Sequence, residues 1–344
     1  MVGRVPVIAR YGDRLPLDPA APVVSLGEGS TPLIPAPRLS ERLGIELFLK
    51  LESANPTGSF KDRGMTVAVS KAVADGARAV ICASTGNTAA SAAAYAARAG
   101  LVAVILQPAG AVALGKLMQA RAVGARVLEV RGSFDQALAA ARELGARGTH
   151  ALVNSVNPHR IEGQKTAAFE IAEALGFVPD LLALPYGGGG NTVAYAKGFE
   201  EWGAGMPRIV AGEASQRATT VASAIRIAEP VHRAQADAAI ERSGGQTVSL
   251  SDDAVLRAWR ELAEREGVFC EPSSAAGIAA LERLRPDSGL RVVCVITGHG
   301  LKDPATVERS TPPPIAVDPD PDAIAEAAGG VVPDRAWGGV VGEN

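Results

Sequence analysis

From about Glu46 onward, short apolar runs alternate with segments whose apolar residues recur at helical spacing. The apolar runs predict strands at Glu46–Leu51, Ala79–Ala83, Val102–Leu106, Arg126–Val130 and Ala151–Asn154. Further strands are predicted at Leu181–Leu184, Ile209–Glu213, Thr247–Leu250 and Arg291–Thr297. Helical patterns fall between most of them, among them Thr88–Arg98, Phe134–Leu144, Lys165–Leu175, Val193–Trp202 and Asp253–Glu266. Gly76, Gly100, Gly124 and Gly176 stand where helices should end in a left-handed cap. Such alternation predicts an α/β fold with parallel sheets and helices on both faces. The nine strands fit one sheet or two. The tail from about Ser310 is rich in proline, glycine and acidic residues. It reads as an extension with at most a helical turn at Ile324–Ala328.

Composition narrows the range of functions. A chain of 344 residues, 47% of them hydrophobic, supports a large core and about two domains. A net charge of -3 and an aromatic content of 4% give no footprint for nucleic acid or an anionic membrane. Cys82, Cys270 and Cys294 have no regular spacing, and two of them lie in predicted strands. They read as buried thiols in a reducing compartment. The four histidines show no metal-ligand spacing. The most apolar region, Ala89 to Leu114, is broken by Arg98, Gly100, Gln107 and Pro108, which predicts a helix and a strand rather than a membrane span. Met1 to Arg14 lacks the apolar core of a signal peptide, so the cytoplasm is expected.

Open α/β sheets bind ligands at the carboxyl ends of their strands, so loops that follow strands draw attention. Gly58-Ser59-Phe60-Lys61-Asp62-Arg63-Gly64 puts Lys61 at a helix start after a glycine turn. Helix-start amides and partial burial disfavour its ammonium form, which suits a Schiff base with an aldehyde. Tyr186-Gly187-Gly188-Gly189-Gly190-Asn191-Thr192 joins a strand to a helix. It reads as a phosphate cup, being neither a Walker A loop nor a dinucleotide fingerprint. Ser84-Thr85-Gly86-Asn87-Thr88 offers donors for a carboxylate or phosphate, or a plain helix cap. Asn154 to Arg160 ends in a fork-shaped donor that taken alone is a solvated arginine at a helix start. His159 reads as structural. Thr297-Gly298-His299-Gly300 places a hydroxyl and two glycines where a flat ring can approach, and Glu271 to Gly277 opens a helix nearby. A lysine for an aldehyde, a cup for a phosphate and a hydroxyl for a ring nitrogen describe pyridoxal phosphate.

Asn55 to Met65, Ala83 to Thr88, Asn154 to Gln164 and Thr297 to Pro304 resemble stretches of the threonine synthase family. That family belongs to the pyridoxal-phosphate group that includes tryptophan synthase β, cysteine synthase and serine/threonine dehydratase. The resemblance runs from about Gly27 to about Pro304. It implies fold type II: two open, twisted parallel-sheet α/β domains. Residues 1–52 and 156–310 would form the larger, cofactor-binding one and 53–155 a smaller mobile one, with 311–344 an extension. It implies that Lys61 forms the internal aldimine, that Asn87 bonds the pyridine 3-oxygen and that Thr297 meets the ring nitrogen. Gly187, Gly188, Gly189, Gly190 and Asn191 would hold the cofactor phosphate. Ser84, Thr85, Thr88, Asn154, Ser155 and Arg160 would hold O-phospho-L-homoserine, converted with water to L-threonine and phosphate by a homodimer. The cup departs from the family's common Gly-Asn-Ala-Gly-Asn, and the region Glu213 to Ile227 is shorter. These departures leave room for a dehydratase-like lyase, a paralogue with altered substrate or a silent cofactor-binding homologue.

Overall fold

The structure, a computed structural model, describes residues 4–109 and 114–329. Its strands are β1 (Leu33–Pro35), β2 (Glu46–Leu51), β3 (Ala79–Ala83), β4 (Val102–Pro108) and β5 (Arg126–Val130). They continue with β6 (Ala151–Leu152), β7 (Leu181–Pro185), β8 (Arg208–Ala214), β9 (Gln246–Leu250) and β10 (Arg291–Ile296). The helices begin with α1 (Val7–Tyr11), α2 (Pro37–Leu43), α3 (Lys61–Ala74), α4 (Asn87–Arg98) and α5 (Leu114–Ala122). Then come α6 (Phe134–Ala146), α7 (Pro158–Leu175), α8 (Gly190–Trp202), α9 (Arg233–Arg242) and α10 (Asp252–Glu266). The last are α11 (Ala276–Leu284), α12 (Pro304–Ser310) and α13 (Pro321–Ala327). Contacts divide the chain into a unit of residues 1–306 and a unit of residues 307–344. Within the described part of the second, Pro321–Ala327 is helical, longer than the single turn expected at Ile324–Ala328.

The strands form two sheets, which resolves the alternative left open by periodicity. One has six strands in the order β1-β2-β10-β7-β8-β9, the other four in the order β5-β4-β3-β6. All pairings are parallel except that β1 runs antiparallel to β2. The central strands β3 and β7 are buried at every position, as unbroken apolar runs such as Leu181–Pro185 require. Strand β5 lies at an edge and is mostly exposed. Helices cover both faces of the four-stranded sheet. Met65, Ala89, Tyr95 and Leu117 pack on one side, and Ala137 and Ala141 of α6 on the other. The six-stranded sheet packs Leu182, Leu184, Val293 and Val295 against Phe199 and Ile171.

Two differences from the periodic reading bear on the site's frame. Strand β1 is three residues long and held at an edge, too short for alternation to register. Helix α7 begins at Pro158, not at Lys165. Asn157 caps it, accepting from the His159 N–H at 2.9 Å, and Pro158 stands at the first turn. Gly163 hid this turn because glycine disfavours helix interiors. Here it is required: a Cβ on Gly163 would lie 1.9 Å from the Arg63 carbonyl oxygen, and one on Gly64 2.4 Å from the Arg160 carbonyl oxygen. Helices α3 and α7 therefore cross backbone against backbone, which brings Arg160 beneath the start of α3.

Candidate active site

Lys61 is the first residue of α3, and the turn before it is tied to the loop after β10. Gly58 has φ of +82°, and its N–H donates to the Asn55 carbonyl at 2.8 Å. The Phe60 N–H donates to the Thr297 carbonyl at 3.0 Å and the His299 N–H to the Gly58 carbonyl at 2.9 Å. Ser59 and Gly298 form an isolated antiparallel bridge. The Lys61 Nζ lies 4.3 Å from the Phe60 ring centroid. Burial, and after it the nearby Arg160 guanidinium, push the Lys61 amine down to about 7, while the Glu271 carboxylate pulls the other way. Near neutral pH a large share of this amine is therefore the free nucleophile.

The neighbouring Asp62 is buried and accepts from the Thr57 N–H at 2.7 Å, the Thr57 hydroxyl at 2.6 Å and the Ser91 hydroxyl at 2.6 Å. These bonds fasten the start of α3 to the turn before it and to α4. Asn87, the first residue of α4, donates through Nδ2 to Glu271 Oε1 at 2.9 Å. Its Oδ1 is buried and makes no hydrogen bond among the described residues. Glu271 also packs flat on Gly298, where a Cβ would lie 2.3 Å from its Oε1. The Thr297 hydroxyl lies 2.9 Å from Ser274 Oγ, which also accepts from the Gly298 N–H at 2.9 Å. The strand-end hydroxyl is thus held in place by a second serine.

The glycine loop opens α8, with Gly189 in the left-handed region at φ of +83°. Its walls are close. A Cβ on Gly187 would lie 3.3 Å from Ile225 Cα, one on Gly189 3.0 Å from the His232 carbonyl oxygen and one on Gly190 3.2 Å from His232 Cδ2. Asn191 Nδ2 and Thr192 Oγ1 are buried and make no hydrogen bond among the described residues. Free helix-start amides with two unused side-chain groups make a cradle for a phosphate.

The remaining predicted residues separate into two kinds. Ser84, Thr85 and Thr88 are half-buried around the start of α4, with Ser84 Oγ accepting from the Gly86 N–H at 3.1 Å. Asn154 spends its amide on structure, accepting from the Ala83 N–H at 3.0 Å and donating to the Ala83 carbonyl at 2.8 Å. It continues the β6 edge beside β3 and so fixes where the Ser84 loop departs. Ser155 is half-buried, and its carbonyl accepts from His232 Nε2 at 2.9 Å. Arg160 is buried rather than solvated. Its Nη1 donates to the Val153 carbonyl at 2.9 Å, while its Nε makes no hydrogen bond among the described residues. Burial lowers its pKa to about 10, with Cys82 and Asp62 working against that. His159 is half-buried with a lowered pKa, from burial first, and does not join the groups around Lys61.

Behind the site lies a buried ion cluster. Arg63 donates to Glu52 at 2.7 and 2.8 Å and to Glu170 at 2.7 and 2.6 Å, and Lys50 donates to Glu170 at 2.7 Å. It links β2, α3 and α7.

A lysine with a depressed pKa, a hydroxyl just after β10 and a glycine cradle lie in loops that follow parallel strands, and the family model for pyridoxal-phosphate dependent enzymes matches residues 24–298. The chain belongs to the pyridoxal-phosphate-dependent enzyme family. It is 48% identical over 319 residues to the threonine synthase of Halalkalibacterium halodurans, covering 87% of this chain and 90% of that protein. It is 48% identical over 344 residues to the threonine synthase of Mycobacterium tuberculosis, covering 94% and 96%. Among solved structures, the processed form of threonine deaminase isoform 2 from Solanum lycopersicum superposes with a TM-score of 0.71 at 24% identity, covering 82% of this chain and 83% of that one. That likeness confirms the fold.

The residues present fit pyridoxal phosphate. The unused Asn191 Nδ2 and Thr192 Oγ1 are orphaned donors of the kind that a phosphate would satisfy. Sequence reasoning named the loop around Glu271 but not the reach of its carboxylate to Asn87. It missed Ser274's hold on Thr297 and passed over His232 entirely. His232 stands in no motif, and its contact with Ser155 spans 77 residues. Among the described residues, no group of three His, Cys, Asp or Glu is placed to hold a metal, and no helix is long and apolar enough to cross a membrane. Cys82, Cys270 and Cys294 are free and buried.

Proposed function

We propose that this enzyme is a threonine synthase, converting O-phospho-L-homoserine and water to L-threonine and phosphate. Its similarity to threonine synthases along nearly the whole chain supports that reading. The observation that carries the substrate choice is Arg160. It is a buried guanidinium beside Lys61 with no ion-pair partner among the described residues, a positive charge left over for an anionic substrate. A lyase of free serine or threonine has no phosphate for it.

When bound, pyridoxal phosphate supplies an electrophilic carbon and an electron sink for charge developing at an amino acid's Cα. Gly187, Gly188, Gly189, Gly190 and Asn191 would hold its phosphate, Asn87 its ring oxygen and Thr297 its ring nitrogen. A neutral threonine hydroxyl does not compel that nitrogen to carry a proton. Lys61, poised near neutrality, is suited to carry the cofactor and to move protons at substrate Cα and Cβ. Ser84, Thr85, Thr88 and Ser155 would orient the substrate, and Asn154 would act through Ala83 by fixing the Ser84 loop. Arg160 and the loop amides would favour phosphate departure from Cγ, and water then adds at Cβ.

The smaller domain of this proposal, 53–155, contains the whole four-stranded sheet, while 1–52 and 156–310 contain the other six strands. Movement of the smaller part would keep water out until it is needed. The working form is read as a cytoplasmic homodimer, with 311–344 as an extension. Two variants test the assignment. Lys61→Ala should abolish phosphate release while leaving cofactor to bind non-covalently. Arg160→Ala should lower kcat/KM on phosphohomoserine. A wild-type rate in the lysine variant removes the assignment, and unchanged kcat/KM in the arginine variant removes the substrate.

A further inference from the structure

His232 lies between β8 and α9 and is 7% exposed. Its main chain and ring together touch three of the four glycines in the phosphate cradle. The His232 N–H donates to the Gly188 carbonyl at 3.0 Å. Its carbonyl oxygen lies 3.0 Å from where a Cβ on Gly189 would be, and its ring Cδ2 lies 3.2 Å from where one on Gly190 would be. The same ring reaches the other wall of the site, with Nε2 2.9 Å from the Ser155 carbonyl oxygen. A carbonyl only accepts, so the proton sits on Nε2 and the imidazole is the donor.

We propose that His232 is a positioning residue that couples the cofactor-phosphate cradle to the substrate loop Ser155–Arg160. Four consecutive glycines have no side chains to hold their own shape, and ordering them costs more backbone entropy than any other residue type. The imidazole ring supplies a rigid wall against Gly190. Its N–H holds Ser155, and with it the entry to α7 and Arg160. One side chain thus sets the distance between the place for the cofactor phosphate and the place for the substrate. The proposal rests on the reading of those two loops given above.

The two contacts are separable by substitution. Phenylalanine keeps a ring against Gly190 and donates nothing, whereas glutamine offers an N–H at the reach of Nε2 and no ring. Cofactor affinity is read by titrating the cofactor-free protein with pyridoxal phosphate, and the substrate side by KM and kcat for phosphohomoserine. His232→Phe should leave the cofactor Kd near wild type and raise KM about fivefold, the effect of one lost hydrogen bond, with kcat little changed. His232→Gln should do the opposite, keeping KM near wild type and raising the cofactor Kd about tenfold through lost packing. Equal changes of Kd and KM in both variants, or an unchanged KM in His232→Phe, would overturn the bridge in which the ring holds one loop and the N–H the other. If the wild type releases no phosphate from phosphohomoserine, the functional reading fails by itself. The cofactor titration still decides whether the ring supports the cradle.

Discussion

The buried Arg160 guanidinium repels the half-buried Lys61 ammonium, and Lys61 is the one that yields its proton. Burial is the larger cause of its depressed pKa and Arg160 the second. Two cations close together out of water cannot both stay charged cheaply, and a guanidinium gives up its proton far less readily than an amine. The residue assigned to the substrate phosphate thus also prepares the nucleophile.

This relationship has a pH signature. The rate at which the cofactor-free protein captures pyridoxal phosphate should rise through pH about 7 and level off above it, as the amine loses its proton. Arg160→Gln should move that midpoint upward. A rise of half a unit to one unit leaves roughly two- to fivefold less neutral amine at pH 7. Stopped-flow absorbance across pH 6–9, a range of about three units, checks both statements.

Glu271 should act in the opposite sense. Glu271→Gln keeps an oxygen to accept from Asn87 Nδ2 but removes the negative charge that favours the Lys61 ammonium. The Lys61 amine should then titrate lower than in the wild type. A carbon-13 titration of its ε-methylene in the cofactor-free protein measures the change, and an upward shift contradicts the charge assignment.

The Arg63 cluster should matter for stability before chemistry. Burial raises the Glu170 pKa, but Arg63 and Lys50 outweigh that and hold its carboxyl well below the usual range. Arg63→Met strands Glu52 in the interior and leaves Glu170 with Lys50 alone, which should cost about 3–5 kcal/mol. Thermal unfolding of the holoenzyme at pH 7 reads it. A loss of activity with no change in unfolding would instead place Arg63 in the site.

The backbone crossing makes a further demand. Gly163→Ala puts a methyl 1.9 Å from the Arg63 carbonyl oxygen, so α3 and α7 must move apart. Overpacking of this kind should cost about 1–3 kcal/mol and weaken cofactor binding, because Lys61 begins α3. Denaturant unfolding and cofactor titration test the two halves.

Most strands were legible because buried parallel strands are written as unbroken apolar runs, as in Leu181–Pro185 and Arg291–Ile296. The loops carrying Lys61, Asn87, Gly187 and Thr297 were legible because glycine and hydroxyl residues at strand ends are unusual there. Other features were hidden for physical reasons. Gly163 interrupts the pattern of the helix whose packing requires it. The partners of Arg63, at Glu52 and Glu170, are 11 and 107 residues away, and no local pattern records such a meeting. Arg160 looked like a solvated side chain because burial depends on α3 lying across it. His232 carries no motif, since its role comes entirely from what the fold brings against its ring.

The reaction proposed for this enzyme is elimination of phosphate from O-phospho-L-homoserine followed by addition of water at Cβ. The most direct measurement incubates the holoenzyme with O-phospho-L-homoserine and, separately, with serine and threonine, quantifying inorganic phosphate, threonine and 2-oxo acids together. Phosphate and threonine should appear in equal amounts from phosphohomoserine, with little 2-oxo acid from the free amino acids. Rapid 2-oxo acid formation from serine or threonine with no phosphate release from phosphohomoserine would contradict it.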